Sequence, residues 1–323
     1  MKAIVNHQYG SPDVLQLAEV EKPTPKDNEV LVQIHAVSIN GSDWEGLRGK
    51  PLYARLGGLR RPSNPILGSD IAGRVVTVGR NVSQFQSGDE VFGETSGYHG
   101  GFAEFASAPE KLLAHKPAGL TFEEAACIPQ GGVIALQGIR DKGQVQPGQK
   151  VLINGAGGSA GMFAVQLAKL YGAEVTGVDN TGKLDFLRSL GADHVIDYTR
   201  EDFTKNGKEY DFILDLIAHR SVFAYRRALK PGGSYYLVGG SVATMFQVLL
   251  LGPLLGRSSG KKIRILAVRQ NQEDLVSIAD LCEAGKIVPV IDRRYPLSEV
   301  PDALRYVGEG KAKGKVVIEI ENP

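Results

Sequence analysis

Along the first third of the chain, apolar residues stand in short β-branched runs divided by Gly, Pro, Asn and Asp. Residues 30–37, 71–78 and 90–93 are three such runs and predict strands, with turns between them. Residues 1–6 already alternate, which predicts a strand rather than a signal peptide. Pro23, Pro25, Pro62 and Pro65 favour extended, irregular connections. A helix is expected to begin near Thr121, because Glu123 and Glu124 follow in the first turn, where the helix dipole favours acids.

From residue 151 the rhythm changes to strand and helix in alternation. Apolar residues 151–153 lead into a glycine cluster, 162–171 follows as an amphipathic helix, and 174–179 is a strand ending on Asp179. Further strands are predicted at 194–197, 211–215, 234–239 and 263–268, and helices at 183–190, 222–229 and 272–284. Such alternation means a parallel sheet with helices on both faces. The tail, 315–320, returns to β character and is expected to rejoin the first domain. The apolar segment 245–255 falls short of the roughly 18 residues of a spanning helix, and Pro253 interrupts it, so it is expected to be a helix packed over a cleft.

Composition narrows the class. A chain of 323 residues can bury two cores. Lys and Arg number 37 against 36 for Asp and Glu, which argues against nucleic acid or an anionic membrane as a main partner. Cys127 and Cys282 stand alone, as in a reducing compartment, and exclude a disulfide framework or a cysteine-built metal site. A soluble, cytoplasmic protein is expected.

The cluster Gly155, Ala156, Gly157, Gly158, Ser159, Ala160 and Gly161 carries the clearest chemistry. Strand, glycine turn, helix, second strand and terminal acid form the dinucleotide-binding βαβ unit. Glycines let backbone N–H groups approach a pyrophosphate, and the helix adds the positive end of its dipole. Asp179 stands where a carboxylate accepts hydrogen bonds from the adenosine ribose and repels a 2′-phosphate.

Motifs in a fixed order carry a family likeness. They stand at residues 38–43, 68–79, 87–93, 101–105, 145–153, 190–193 and 314–317. The chain resembles the medium-chain dehydrogenase/reductase superfamily, in its zinc-independent quinone oxidoreductase and enoyl reductase branch. The resemblance implies an α/β fold: a GroES-like β-rich catalytic domain at 1–119 and 290–323, and a Rossmann domain with a doubly wound parallel sheet at 120–289. Where zinc-dependent relatives place a cysteine, a histidine and a second cysteine, this chain has Asn40, Ser69 and Gly131. None offers the thiolate or imidazole that zinc needs. The four-cysteine structural lobe is absent, and His35, His99 and His115 do not stand at metal spacing. No zinc is expected.

The resemblance implies hydride transfer from NADPH or NADH to a small electrophile, an enone or a quinone. Asn40, Asp43 and Tyr53 are the catalytic candidates: Asn40 as an amide donor, Asp43 to orient a neighbour or stiffen its loop, Tyr53 and also Tyr98 as a proton or hydrogen-bond source. Trp44 and Arg48 are expected at the pocket mouth. Lys183 stands where NADPH-using relatives place a phosphate-binding lysine, and Asn180 and Thr181 can also hydrogen-bond a 2′-phosphate, so use of both cofactors with a lean to NADH is expected. Val238, Gly239 and Gly240, at a strand end, are expected along the nicotinamide ribose. Ile134 replaces a threonine hydroxyl that helps hold the cofactor in many relatives. Two other functions fit the same residues: a zinc-independent carbonyl reductase or alcohol dehydrogenase, and a non-catalytic dinucleotide-binding redox sensor. Relatives pair the region of 263–268 across a two-fold axis, which implies a homodimer.

Overall fold

The computed structural model describes residues 1–56, 58–95, 97, 99–257 and 260–321. Tyr98, a candidate hydrogen-bond source, lies outside the described residues. By its internal contacts the chain divides into two units, Met1–Val133 with Gln270–Pro323, and Ile134–Arg269.

The first unit opens with β1 (Lys2–Val5) paired antiparallel to β2 (Gln16–Glu19). Then come β3 (Glu29–Ser38), α1 (Gly41–Arg48), β4 (Asp70–Val78), β5 (Glu90–Glu94), β6 (Phe105–Pro109) and β7 (Leu113–His115). The helices α2 (Phe122–Cys127) and α3 (Pro129–Leu136) follow. Thr121 starts α2 as expected: its hydroxyl accepts from the Glu124 N–H at 3.2 Å, and the Glu124 carboxylate accepts from the Thr121 N–H at 2.9 Å.

The second unit is an alternating βα array: β8 (Lys150–Asn154), α4 (Ser159–Leu170), β9 (Glu174–Asp179), α5 (Leu184–Ser189), β10 (His194–Asp197), β11 (Tyr210–Asp215), α6 (Val222–Arg227), β12 (Leu229–Leu237), α7 (Val242–Arg257) and β13 (Lys262–Ile265). Its six strands are all parallel, in the order β10-β9-β8-β11-β12-β13. Strands covered on both faces are apolar without interruption, hence the fully buried Val151, Leu152 and Ile153 of β8. Leu152, Val178, Ile213, Tyr225, Tyr235 and Ile263 belong to its core.

The chain then returns to the first unit with α8 (Gln272–Glu283), β14 (Ile291–Pro296), α9 (Val300–Gly308) and β15 (Lys315–Glu319). The tail strand β15 pairs antiparallel with β3, and the large sheet runs β14-β15-β3-β4-β5-β7 with β6 also on β3. Its core gathers Ile34, Ile71, Phe102, Leu304 and Ile318, among others.

Three elements differ from expectation. β12 begins at Leu229, because its partner β11 tolerates the turn residues Pro231, Gly232 and Gly233 as a bulge: pairing jumps from Tyr210–Leu229 to Phe212–Ser234. β13 ends at Ile265, so Leu266 to Val268 lie beyond the strand. α7 runs through Pro253, and its outward face, Phe246, Leu249, Leu250 and Leu254, is exposed rather than packed. Among the described residues, no helix is long and apolar enough to cross a membrane.

Candidate active site

In the second unit, β8 ends at Asn154 and α4 begins at Ser159, so Gly155 to Gly158 form the turn and Ser159, Ala160 and Gly161 the first helical turn. The first N–H groups of a helix lack intrahelical partners and carry its positive end. Gly161 has no alternative: a Cβ there would lie 2.2 Å from the Gly155 carbonyl oxygen, inside the turn. Asp179 closes the cradle from the end of β9. One carboxylate oxygen accepts from the Gly157 N–H at 2.8 Å, the other from the Asn180 N–H at 2.9 Å. The Lys183 ammonium stands 3.7 Å from Asp179, with both side chains buried. Asn180 accepts from the Gly182 N–H at 3.0 Å, which starts the turn that carries Lys183 inward. A carboxylate offers about four acceptor positions, so Asp179 keeps capacity for ribose hydroxyls.

The strand order reverses at β8, which neighbours β9 on one side and β11 on the other. Ligands of open α/β sheets bind at such switch points, outside the strands' carboxyl ends. There Asn154 donates to Asp215 at 2.7 Å, and the Tyr235 hydroxyl donates to the other Asp215 oxygen at 2.9 Å. Burial pushes the Asp215 carboxyl above the usual range. Val238 donates its N–H to the Asp215 carbonyl at 2.8 Å, and the Gly239 carbonyl accepts from Ala218 at 2.8 Å. Gly240 forms a bridge with Ala218. The residues expected along the ribose are thus tied to the loop after β11.

The first unit holds a second polar cluster, set by strand register. Ser38 of β3 lies opposite Asp70 of β4, which lies opposite Glu94 of β5. Lys315, at the start of β15, extends into this row: its ammonium donates to Ser38 Oγ and Asn40 Oδ1, each at 2.8 Å, and contacts Asp70 Oδ2 at 3.2 Å. Lys315 and Asp70 have no solvent exposure. Such a pair survives only if each charge is matched and its other positions are hydrogen-bonded. Asp70 meets that demand with the Gln130 N–H and the Ser69 hydroxyl, both at 3.1 Å. Glu94 accepts from the Gln270 amide, and burial pushes its carboxyl up.

Asn40 and Asp43 are brought together at the start of α1. The Asp43 carboxylate accepts from the Asn40 N–H at 2.7 Å and from the Gly68 N–H at 3.1 Å, binding the helix start to the segment before β4. Burial pushes its carboxyl up to about 7. Tyr53 lies apart from them: its hydroxyl donates to Glu45 at 3.0 Å, and burial, with the Glu45 carboxylate beside it, raises its pKa. Trp44 packs on α9, where a Cβ on Gly308 would meet its ring at 2.5 Å, and the Arg48 guanidinium lies 5.2 Å from the ring centroid.

Lys315, Asp70, Ser38, Glu45 and Asp215 were absent from the sequence-based candidates. The sequence signals for Lys315 were its place in the motif at 314–317 and a lysine opening a mostly apolar strand. Among the described residues, no three His, Cys, Asp or Glu side chains are grouped to hold a metal ion. At the positions where zinc-dependent relatives place ligands, Asn40 is bonded to the Lys315 ammonium and Ser69 to Asp70, a donor set that does not fit zinc.

Comparison with known proteins places this architecture. Residues 26–118 match the family described as Alcohol dehydrogenase GroES-like domain, and residues 190–318 the one described as Zinc-binding dehydrogenase. The chain is 35% identical over 333 residues to a 2-methylene-furan-3-one reductase from Solanum lycopersicum, covering 98% of this chain and 79% of the relative. It is 33% identical over 331 residues to the chloroplastic NADPH-dependent alkenal/one oxidoreductase of Arabidopsis thaliana, with 98% and 79% covered. A solved quinone oxidoreductase from Coxiella burnetii has the same fold, with a TM-score of 0.89, 29% identity and 99% of each chain covered. A GroES-like sheet unit with a parallel Rossmann-type unit defines a two-part dehydrogenase class. The chain belongs to the medium-chain dehydrogenase/reductase superfamily, in its quinone oxidoreductase and enoyl reductase branch.

Proposed function

We propose that this protein is an NAD(P)H-dependent oxidoreductase that transfers hydride to an α,β-unsaturated carbonyl compound or a quinone without zinc. One observation carries the assignment: a glycine turn closed on the buried Asp179 at the end of β9, with a contact at Gly161 that no larger residue permits. The names of the relatives, enone reductase and quinone oxidoreductase, support the substrate class.

When bound, the dinucleotide supplies hydride. The N–H groups of the first turn of α4 would hold its pyrophosphate, Asp179 would accept from the adenosine ribose, and Val238, Gly239 and Gly240 would border the nicotinamide ribose. Asn40, whose Oδ1 accepts from the Lys315 ammonium, is the residue we assign to donate an amide N–H to a substrate oxygen as negative charge develops there. The Lys315 ammonium, one hydrogen bond behind, orients that amide. Asp43 holds the loop, and Tyr53 holds Glu45. An enone should therefore be reduced at least a hundredfold faster than its saturated ketone, with chelator leaving the rate unchanged. A faster ketone reaction would indicate a carbonyl reductase, and tight cofactor binding without turnover of any electrophile a redox sensor; either result defeats the proposal.

For the cofactor we propose dual use with a lean to NADH. Asp179 repels a 2′-phosphate, yet the ammonium 3.7 Å away offsets part of that charge. Asp179→Ser should shift the ratio of dissociation constants toward NADPH by roughly tenfold or more, about 1.4 kcal/mol. Fluorescence titration of both cofactors measures it. Wild-type protein binding NADPH a hundredfold more tightly than NADH would show that Asp179 does not act on the ribose.

We also propose a homodimer, with its contact moved from the sheet edge to α7. The Leu266 N–H donates to Leu237 of β12, so in alternation the carbonyls of Lys261 and Ile263 point off the sheet edge. Gly252 and Gly256 of α7 lie directly on them: a Cβ at either would stand 2.5 Å or 2.4 Å from those oxygens. The edge is therefore covered, as unpaired edges commonly are. A second copy meets the charge-free outer face of α7, which exposes Phe246, Leu249, Leu250 and Leu254. Light scattering should give a dimer for wild type and a monomer for Leu250→Glu with Leu254→Glu; a monomeric wild type rules this out. We place the protein in the cytoplasm, since Cys127 and Cys282 are buried free thiols, as in a reducing compartment.

A further inference from the structure

The near-zero charge balance of the whole chain conceals a local imbalance. Between residues 46 and 69 there is no Asp or Glu, while Arg48, Lys50, Arg55, Arg60 and Arg61 all fall there. Arg48, Lys50, Arg60 and Arg61 are exposed, and the ion pairs among the described residues of the first unit engage other cations. The three most exposed large apolar side chains among the described residues stand in the same segment: Leu56 at 88%, Leu59 at 72% and Leu52 at 71%.

The segment is braced from beneath. The Arg55 guanidinium lies 4.7 Å from the Tyr9 ring centroid and donates to the carbonyls of Gly49 at 2.9 Å and Leu59 at 3.3 Å. The Tyr9 hydroxyl donates to the Gly58 carbonyl at 2.6 Å. Arg55 is thus spent on structure, and the leucines are held outward on a fixed arch. Beside it opens a cleft of about 520 Å³ lined by His7, Leu59, Arg60, Arg61, Pro62 and Ser63 among others.

We infer that this arch docks the protein onto anionic phospholipid bilayers, with Leu52, Leu56 and Leu59 entering the interface and Lys50, Arg60 and Arg61 meeting phosphate headgroups. Cations near a charged bilayer and apolar side chains at its headgroup boundary contribute together. Nucleic acid would match the cations but leave the leucines in water. The consequence for substrate rests on the function proposed above: docked there, the enzyme draws lipophilic quinones or enones that partition into the bilayer, in preference to short water-soluble enals.

Co-sedimentation of the full chain with vesicles tests the docking without any turnover. Binding is expected to vesicles of phosphatidylcholine with phosphatidylserine and not to phosphatidylcholine alone, and should fall severalfold in high salt. Arg60→Glu with Arg61→Glu should lower partitioning more than tenfold. Leu56→Ser with Leu59→Ser should lower it at least fivefold, with melting temperature and cofactor affinity as controls for folding. No binding to the anionic vesicles overturns the inference. So does leucine-variant binding equal to wild type, because the surface is then a purely electrostatic one suited to nucleic acid or an acidic protein. Failure to reduce a soluble enone would defeat the proposed function and leave docking intact. A lipophilic quinone whose KM is unaffected by anionic vesicles would defeat only the substrate consequence.

Discussion

Lys315→Met will lower the unfolding free energy by about 3–5 kcal/mol, because it strands the Asp70 carboxylate in a site without solvent. The ammonium is the only cation bonded to Asp70 among the described residues; what remains is one N–H and one hydroxyl, too little to replace a full charge. Lys315→Met combined with Asp70→Asn should recover most of the loss, since neither charge is then buried alone. Denaturant unfolding of the three variants gives the coupling directly. A single variant within about 1 kcal/mol of wild type would mean that water or another group neutralises Asp70. Turnover should respond separately from stability. With its bond to the Lys315 ammonium lost, the Asn40 amide is less firmly oriented, so the single variant should lose turnover with enone while cofactor affinity, which we assign to residues 155–183, stays within twofold. Equal loss of turnover and cofactor affinity would point to general disruption instead.

Gly161→Ala will weaken binding of NADH and NADPH by a hundredfold or more, about 2.8 kcal/mol. The added Cβ would fall 2.2 Å from the Gly155 oxygen and 2.6 Å from the Ala156 oxygen. These are backbone atoms, so the helix or the turn must shift, and both carry the N–H groups proposed to meet the pyrophosphate. The second unit should still fold, because overpacking costs about 1–3 kcal/mol, less than the stability of a typical domain. Cofactor titration, with circular dichroism to verify folding, measures the effect. Unchanged affinity would show that the glycine serves helix packing alone and that the cradle assignment is wrong.

Much of the dinucleotide unit was legible in the linear chain because its signals are local. Apolar runs, glycines and a terminal acid lie within 151–179, and each is a consequence of nearest-neighbour geometry. Thr121 with Glu124 is local in the same sense, and its capping box is present. The misjudged elements show where such signals fail. The strand expected at 234 begins at Leu229, because β11 accommodates Pro231 to Gly233 in a bulge, and the strand expected to reach 268 ends at Ile265.

By itself, then, the sequence determined the alternation of strand and helix and the glycine turn closed by an acid. Both depend on residue type and short spacing. The tertiary structure decided which charges meet. Lys315 reaches Ser38, Asn40 and Asp70 across 277, 275 and 245 residues of chain, through the register of β15, β3 and β4. A slip of one residue would turn every one of those side chains to the other face, and no local pattern specifies that register. Lys183 is likewise placed by the fold: the turn at Asn180 carries it inward to Asp179, a contact that its position in the sequence does not specify.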